Sequence, residues 1–151
     1  MSATTRRPRP GETHGVDYWF LSDDEFDERV RAGEFVEHAE YSGRRYGTLR
    51  SELETRGSAG RPVVLEIEVQ GARQVRAAMP ETVQVFIAPP SRDALRARLI
   101  GRGTDDPEQV ERRLATAERE LEAQGEFTRV VVNDRLEDAV DELEAIVRGA
   151  I

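Results

Sequence analysis

Val63-Val64-Leu65-Glu66-Ile67-Glu68-Val69 is a short run of β-branched and aliphatic residues, followed by a helix-like stretch from Gly71 to Met79 and a second β-rich run, Val83 to Ala88. Strand, helix and strand in that order are the signature of a βαβ unit with parallel strands. The alternation continues downstream. Ser91 caps a helix carrying Leu95 and Leu99, and Asp106-Pro107 opens another with Val110, Leu114, Ala117 and Leu121 at helical spacing. Arg129 to Asn133 reads as a third buried strand, and the last helix sets Leu136, Val140, Leu143 and Val147 on one face. Upstream, Ser2 to Tyr18 contains Pro8, Pro10, Gly11 and Gly15 and reads as a rigid polar loop. Ser22-Asp23-Asp24-Glu25 is a capping box for a short helix that stops at Gly33. Glu34 to Tyr46 reads as a hairpin about Ser42-Gly43, and Thr48 as the cap of a helix with Leu49 and Leu53 that ends in the Gly57 to Gly60 loop. The expectation is an α/β layered fold with a largely parallel sheet and a small β-and-helix lobe inserted near residues 15 to 60.

The chain has 151 residues, enough for one ordinary core. Its longest apolar runs are a few residues, so no membrane span is expected. Residues 1 to 12 lack an apolar segment, which argues against a secretory signal and for a cytoplasmic protein. With no Cys and only His14 and His38, thiol chemistry is excluded and no metal-ligand set is read. A net charge of −8 speaks against a nucleic-acid-binding surface. All 22 basic residues are Arg, so any bound anion is held by guanidinium forks, hydroxyls and backbone amides. A Walker A loop requires a Lys, and none is present.

Several residues carry possible chemistry. Arg6 and Arg9 flank Pro8, which stiffens the backbone and presents two guanidinium groups to a phosphate dianion; the plainer reading is a solvated basic segment. Tyr18 and Tyr46 either add hydroxyl donors or simply pack. Glu37 offers the two acceptors that the adjacent imino and amino donors of a guanine edge require, unless it is an ordinary exposed carboxylate. Glu66 and Glu68, two apart, share a strand face in an apolar run and favour a site at the strand's carboxyl end over a structural pair. Arg98 and Arg102 lie one helical turn apart, Gly101-Arg102-Gly103-Thr104 gives the second a mobile mount, and Arg113 projects from the next helix. Such a set suits polyphosphate charge, with intrahelical ion pairing as the competing use of Arg112 and Arg119.

Ser2-Ala3-Thr4-Thr5-Arg6 with Arg9-Pro10-Gly11-Glu12, then Gly15-Val16-Asp17-Tyr18, Gly33-Glu34-Phe35, Tyr46-Gly47-Thr48, Val69-Gln70-Gly71-Ala72, Pro89-Pro90-Ser91, Gly101-Arg102-Gly103-Thr104 and Val132-Asn133-Asp134 follow one another along the chain. In that order, and over essentially its whole length, the sequence resembles the guanylate kinases. The resemblance implies a P-loop nucleoside-monophosphate-kinase-like three-layer α/β fold with a parallel sheet, and phosphoryl transfer from ATP to GMP with Mg²⁺, giving ADP and GDP. It implies that Ser2, Glu37, Thr48 and Glu68 face the guanine and that Arg6, Arg9, Tyr18 and Tyr46 hold the monophosphate. Arg98, Arg102 and Arg113 would serve a lid near residues 98 to 113 and the donor phosphates, and Asn133 would lie near the adenine. Residues 1–14 then form a phosphate-contacting loop with a remnant of a core strand, residues 15–60 a GMP-binding lobe, and residues 61–151 the α/β core. The family usually has Asp where Glu68 stands, and an aromatic or other large residue where His38 stands.

Family members begin with a strand, a Gly-rich loop ending Gly-Lys-Ser/Thr, and a helix, and the 151 residues contain no such unit. The first strand and P-loop are therefore expected to be missing from this fold, and the chain as given to be inactive alone. The alternative is a non-catalytic guanylate-kinase-like module that binds GMP or a phosphopeptide. Glu37 favours the enzyme, because a peptide binder has no need of a base reader.

Overall fold

A computed structural model describes residues 1–41, 43–58, 62–101 and 107–150, and of Pro107 and Gln109 only the backbone. By contact the chain divides into two units, residues 1–82 and 83–151.

In the first unit Ser2–Thr4 (β1), Trp19–Phe20 (β2), Phe35–Tyr41 (β3) and Arg44–Leu49 (β4) form a sheet in the order β2-β1-β4-β3. β1 runs parallel to β2 and antiparallel to β4, and β3 and β4 are the expected hairpin. Ser2 to Thr4, read as loop from the prolines beyond it, is a strand because β4 and β2 supply ladder partners on both sides. Asp23–Arg31 (α1) starts at the capping box: the Ser22 hydroxyl accepts from the Glu25 N–H at 3.2 Å, and Glu25 Oε2 accepts from the Ser22 N–H at 2.7 Å. That bond holds the Glu25 carboxyl below its usual range. Phe26 of α1 and Phe35 of β3 stack at 4.6 Å over Ala3 and Leu49, with Trp19, Leu21 and Val30 around them. Each large apolar side chain so buried contributes roughly 1.5–3 kcal/mol. Arg45 of β4 pairs with Asp23 and Asp27 of α1 and lies over the Phe26 ring, closing the helix onto the sheet.

Arg50–Gly57 (α2) starts one residue later than the Thr48 cap requires. Leu49 is its N-cap and makes no side-chain cap bond, while Thr48 stays in β4. Residues 62–68 are a larger departure. The run expected to be the first strand of a βαβ unit has no strand assignment, and Val64 is 77% exposed. A strand exists through its ladder, and no described segment lies alongside to supply one. The helix expected from Gly71 begins earlier, as Val69–Ala78 (α3), because Glu68 caps it.

In the second unit Val85–Ala88 (β5) and Arg129–Val132 (β6) are parallel, joined through Arg92–Gly101 (α4) and Pro107–Glu122 (α5). This is the parallel α/β pairing the alternation implies, formed by the second and third β-rich runs and not by the first and second. Ser91 caps α4 as expected, its hydroxyl accepting from the Ala94 N–H at 3.1 Å. Leu136–Ala150 (α6) follows β6 and buries Ala139, while Leu136 and Val140 of its expected apolar face stay exposed.

Gly47 of β4 is fixed by close approach. A Cβ there would stand 2.7 Å from Phe35 Cδ1 and 2.8 Å from the Glu37 carbonyl oxygen, and the second contact is backbone. Gly47→Ala is expected to cost about 1–3 kcal/mol of stability, read as a shifted denaturation midpoint. An unchanged midpoint would contradict this packing.

Candidate functional site

The site in the first unit begins with a β-bulge. Phe35 pairs with Leu49 and Glu37 with Thr48, so Val36 is extra and the register shifts between Phe35 and Glu37. Residues two apart on a regular strand share a face; the bulge puts Phe35 with Leu49 in the core and Glu37 with Thr48 on the opposite face. Thr48 in turn pairs with Ser2 of β1, so Glu37, Thr48 and Ser2 lie in one row across three strands. Thr48 Oγ1 donates to Glu37 Oε1 at 2.6 Å, and both residues are buried, Glu37 at 4% exposure and Thr48 at 3%.

α3 approaches this carboxylate at Gly71, where a Cβ would lie 2.6 Å from Glu37 Oε2 and 3.1 Å from Glu68 Oε1. Glu68 caps the helix, Oε2 accepting from the Gln70 N–H at 2.7 Å and Oε1 from the Gly71 N–H at 2.6 Å. Burial pushes the Glu37 carboxyl up; the bond from Thr48 opposes this, and the negative charge of Glu68 adds to it. A ligand that brings paired donors to this carboxyl would oppose the effect of burial and favour the carboxylate. Gln74 of α3 fastens the helix to the edge strand, its Oε1 accepting from the His38 N–H at 3.1 Å and its Nε2 donating to the His38 carbonyl at 2.7 Å.

Arg6 lies beyond the end of β1, with its guanidinium 5.3 Å from the Tyr18 ring centre and 5.6 Å from that of Phe20. The Tyr46 side chain also bears on it, so Arg6, Tyr18 and Tyr46 come together. Arg9 is exposed, and what ties it to this group is its backbone, through Glu12. Ser2, Tyr18 and Thr48 line a cleft of about 710 Å³ whose other wall includes residues 62–67, Glu66 among them. Glu66 and Glu68 do not act as the strand pair expected of them. Without a strand they share no face: Glu66 is exposed and Glu68 is turned into the helix cap.

In the second unit Ile87, Ala88, Pro89, Leu95, Leu99, Arg98 and Asn133 line a largely apolar cavity of about 250 Å³. Asn133 is held where β6 ends, its N–H donating to the Ala88 carbonyl at 2.8 Å. Arg98 Nη1 donates to the Asn133 carbonyl at 2.7 Å and Nη2 to the Asp134 carbonyl at 3.0 Å, so this guanidinium braces α4 to the end of β6. Arg113 is half-buried on α5, and Arg102 lies outside the described residues. Ion pairs Arg92–Glu118 and Arg96–Glu111 join α4 and α5. Two residues to which the sequence assigns no role make contacts at the first site, Glu12 through Arg6 and the Arg9 backbone and Gln74 through the His38 backbone. The signal for Glu12 was its spacing from Arg6 across a Pro-rich turn; for Gln74, on a helix of uncertain neighbours, there was none.

A family model described as guanylate kinase matches residues 1–150. A guanylate kinase of Streptomyces coelicolor is 57% identical over 146 residues, covering 97% of this chain and 74% of the relative. One from Frankia casuarinae is 54% identical over 150 residues, covering 99% and 82%. Among solved structures, the guanylate kinase of Anaplasma phagocytophilum superposes with a TM-score of 0.80 at 36% identity, over 98% of this chain and 72% of that one.

Proposed function

Because the chain belongs to the guanylate kinase family, we propose that the row Ser2, Thr48 and Glu37, with Glu68 behind it, reads the guanine of GMP while Arg6, Arg9, Tyr18 and Tyr46 hold its phosphate. The observation that carries this reading is Glu37: a carboxyl at 4% exposure, held by Thr48 and raised in pKa by burial, gains most from a ligand that brings paired donors to it. Guanine presents an N1–H and an N2–H side by side, two donors for two oxygens. Adenine presents an acceptor at N1 and leaves one oxygen facing a lone pair. Thr48 fixes the rotamer of Glu37 by donating to Oε1.

The donor side is assigned to the second unit. The largely apolar cavity beside Asn133 suits the adenine of ATP. Arg98, Arg102 and Arg113 are assigned to the donor phosphates and to a lid near residues 98–113. Residues 1–14 are taken as the phosphate-contacting loop with its leading strand, residues 15–60 as the GMP lobe and residues 61–151 as the core. ATP is the family's co-substrate and Mg²⁺ its usual companion. Among the described residues no three His, Asp or Glu side chains gather as ion ligands, so no step is assigned to the metal. No described helix is long and apolar enough to cross a membrane. The absence of Cys fits a reducing compartment, and the cytoplasm is the proposed place of action.

Titration of the folded chain with GMP and with AMP, followed by NMR, tests the reading. GMP is expected to bind more tightly and to shift the Thr48 and Gly71 amides. Equal affinities would sink the assignment of Glu37 and favour the phosphopeptide-module alternative.

A further inference from the structure

Glu12 has no part in the reading above, yet it touches two of the proposed phosphate holders. Its Oε2 accepts from Arg6 Nη1 at 2.8 Å and its Oε1 from Arg6 Nη2 at 2.9 Å, an end-on bidentate pair. Oε2 also accepts from the Arg9 N–H at 2.7 Å, and the Glu12 N–H donates back to the Arg9 carbonyl at 3.0 Å. One carboxylate thus fixes one guanidinium and closes the turn that carries the other. The pair is partly sheltered, with side chains 15% and 19% exposed. The Arg6 bond and the Arg9 N–H hold the Glu12 carboxyl down to about 2, so it is ionised at neutral pH.

A fixed negative charge beside a dianion site repels the ligand unless its geometry brings more than the repulsion removes. The geometry here is specific. A guanidinium has five N–H donors. Glu12 takes two and the Arg7 carbonyl a third, through Nη1 at 2.8 Å. The two that these bonds leave, on Nε and Nη2, form the other edge of the fork, and the Tyr46 side chain also hydrogen-bonds to this guanidinium.

We propose that Glu12 is a positioning residue for a phosphomonoester dianion: it turns Arg6 so that the Nε–Nη2 edge is offered to the ligand, and it pins the Arg9 turn beside that edge. This rests on the reading of Arg6 and Arg9 as the phosphate holders. The opposite role is a counter-ion that competes with phosphate for Arg6. The two roles predict opposite signs.

Calorimetric titration of the 151-residue chain and of Glu12→Gln and Glu12→Asp, each with GMP and with guanosine, separates them. Glu12→Asp keeps the charge and shortens the reach by one methylene, so it tests span without removing the ion pair's charge. Both variants are expected to weaken GMP by about tenfold and to leave guanosine within roughly twofold of the wild type. Tighter GMP binding by Glu12→Gln would establish the competitor and overturn the proposal. A parallel loss of guanosine would reveal a general effect on the fold and overturn it too, as would wild-type affinity for GMP in Glu12→Asp. A wild-type chain that gains nothing from the phosphate overturns the Arg6 and Arg9 reading and this proposal together. A wild-type chain that gains from the phosphate yet binds GMP and AMP equally fails at Glu37 alone, and there the Glu12 variants are still expected to weaken both nucleotides.

Discussion

Given ATP, GMP and Mg²⁺, a polypeptide of these 151 residues is expected to release no GDP. Phosphoryl transfer demands little covalent chemistry of the protein; the catalyst positions the donor phosphates and neutralises developing charge. Positioning of that kind is worth on the order of 7–11 kcal/mol. In the family it is supplied by a loop of backbone amides ending in Gly-Lys-Ser/Thr, and these residues contain neither that loop nor any Lys. Arginines on α4 and α5 bring charge without the amide cradle, and Arg98 is already engaged with two carbonyl groups. Phosphorus NMR of the reaction mixture reads the outcome directly. GDP formed at a steady rate, after subtraction of a mock preparation from the same host, would show that the donor phosphates are held by other means.

Glu37→Gln carries the second large effect. The amide keeps one acceptor and replaces the other with a donor, which suits adenine as well as guanine. GMP binding should fall by about 2 kcal/mol, roughly thirtyfold, and the preference over AMP should vanish. The wild type has a matching pH signature. Burial raises the folded-state pKa of Glu37 above its ordinary 4.5, so guanine preference grows as pH rises through that raised value and the carboxylate forms. The stability of the protein by itself runs the other way. The contribution of Glu37 is fully present below 4.5 and is lost as pH rises through the raised value. Glu12 opposes it lower down, its contribution being present above 4.5 and lost as pH falls toward about 2. In Glu37→Gln both the pH-dependent preference and the upper of these two stability changes should disappear. A Gln variant that retains them would place the titration, and the base recognition, on another group.

Elements whose signals are local were legible in the sequence. The Ser22–Glu25 capping box, the β3–β4 hairpin, the Ser91 cap and the α5 periodicity each depend on residues a few positions apart, and each formed. The strand expected over residues 63–69 did not, because β-rich composition states a preference whereas a ladder needs a neighbour, and neighbours are not a property of seven residues. Thr48 failed as a helix cap for a related reason: its hydroxyl had a better partner in Glu37, eleven residues away and brought close by a bulge that no spacing rule signals. The site followed the same division. The chemical types at Arg6, Tyr18 and Glu37 suggested an anion and a base before any contact was known. That Glu12 grips Arg6, and that Gln74 binds the β3 backbone at His38, depended on how the turn and the helix came to lie.

Glu68 completes the N-terminal turn of α3 with both carboxylate oxygens, and it stands among the proposed guanine readers. A carboxylate shared between a helix end and a ligand cannot serve one without the other registering it. As its electrons are drawn toward a bound base, the amides of Gln70 and Gly71 must exchange their hydrogens at a different rate, although no ligand atom need touch them. The first turn of this helix is in that sense a gauge of occupancy, and hydrogen exchange along the backbone would follow the filling of the site from behind it.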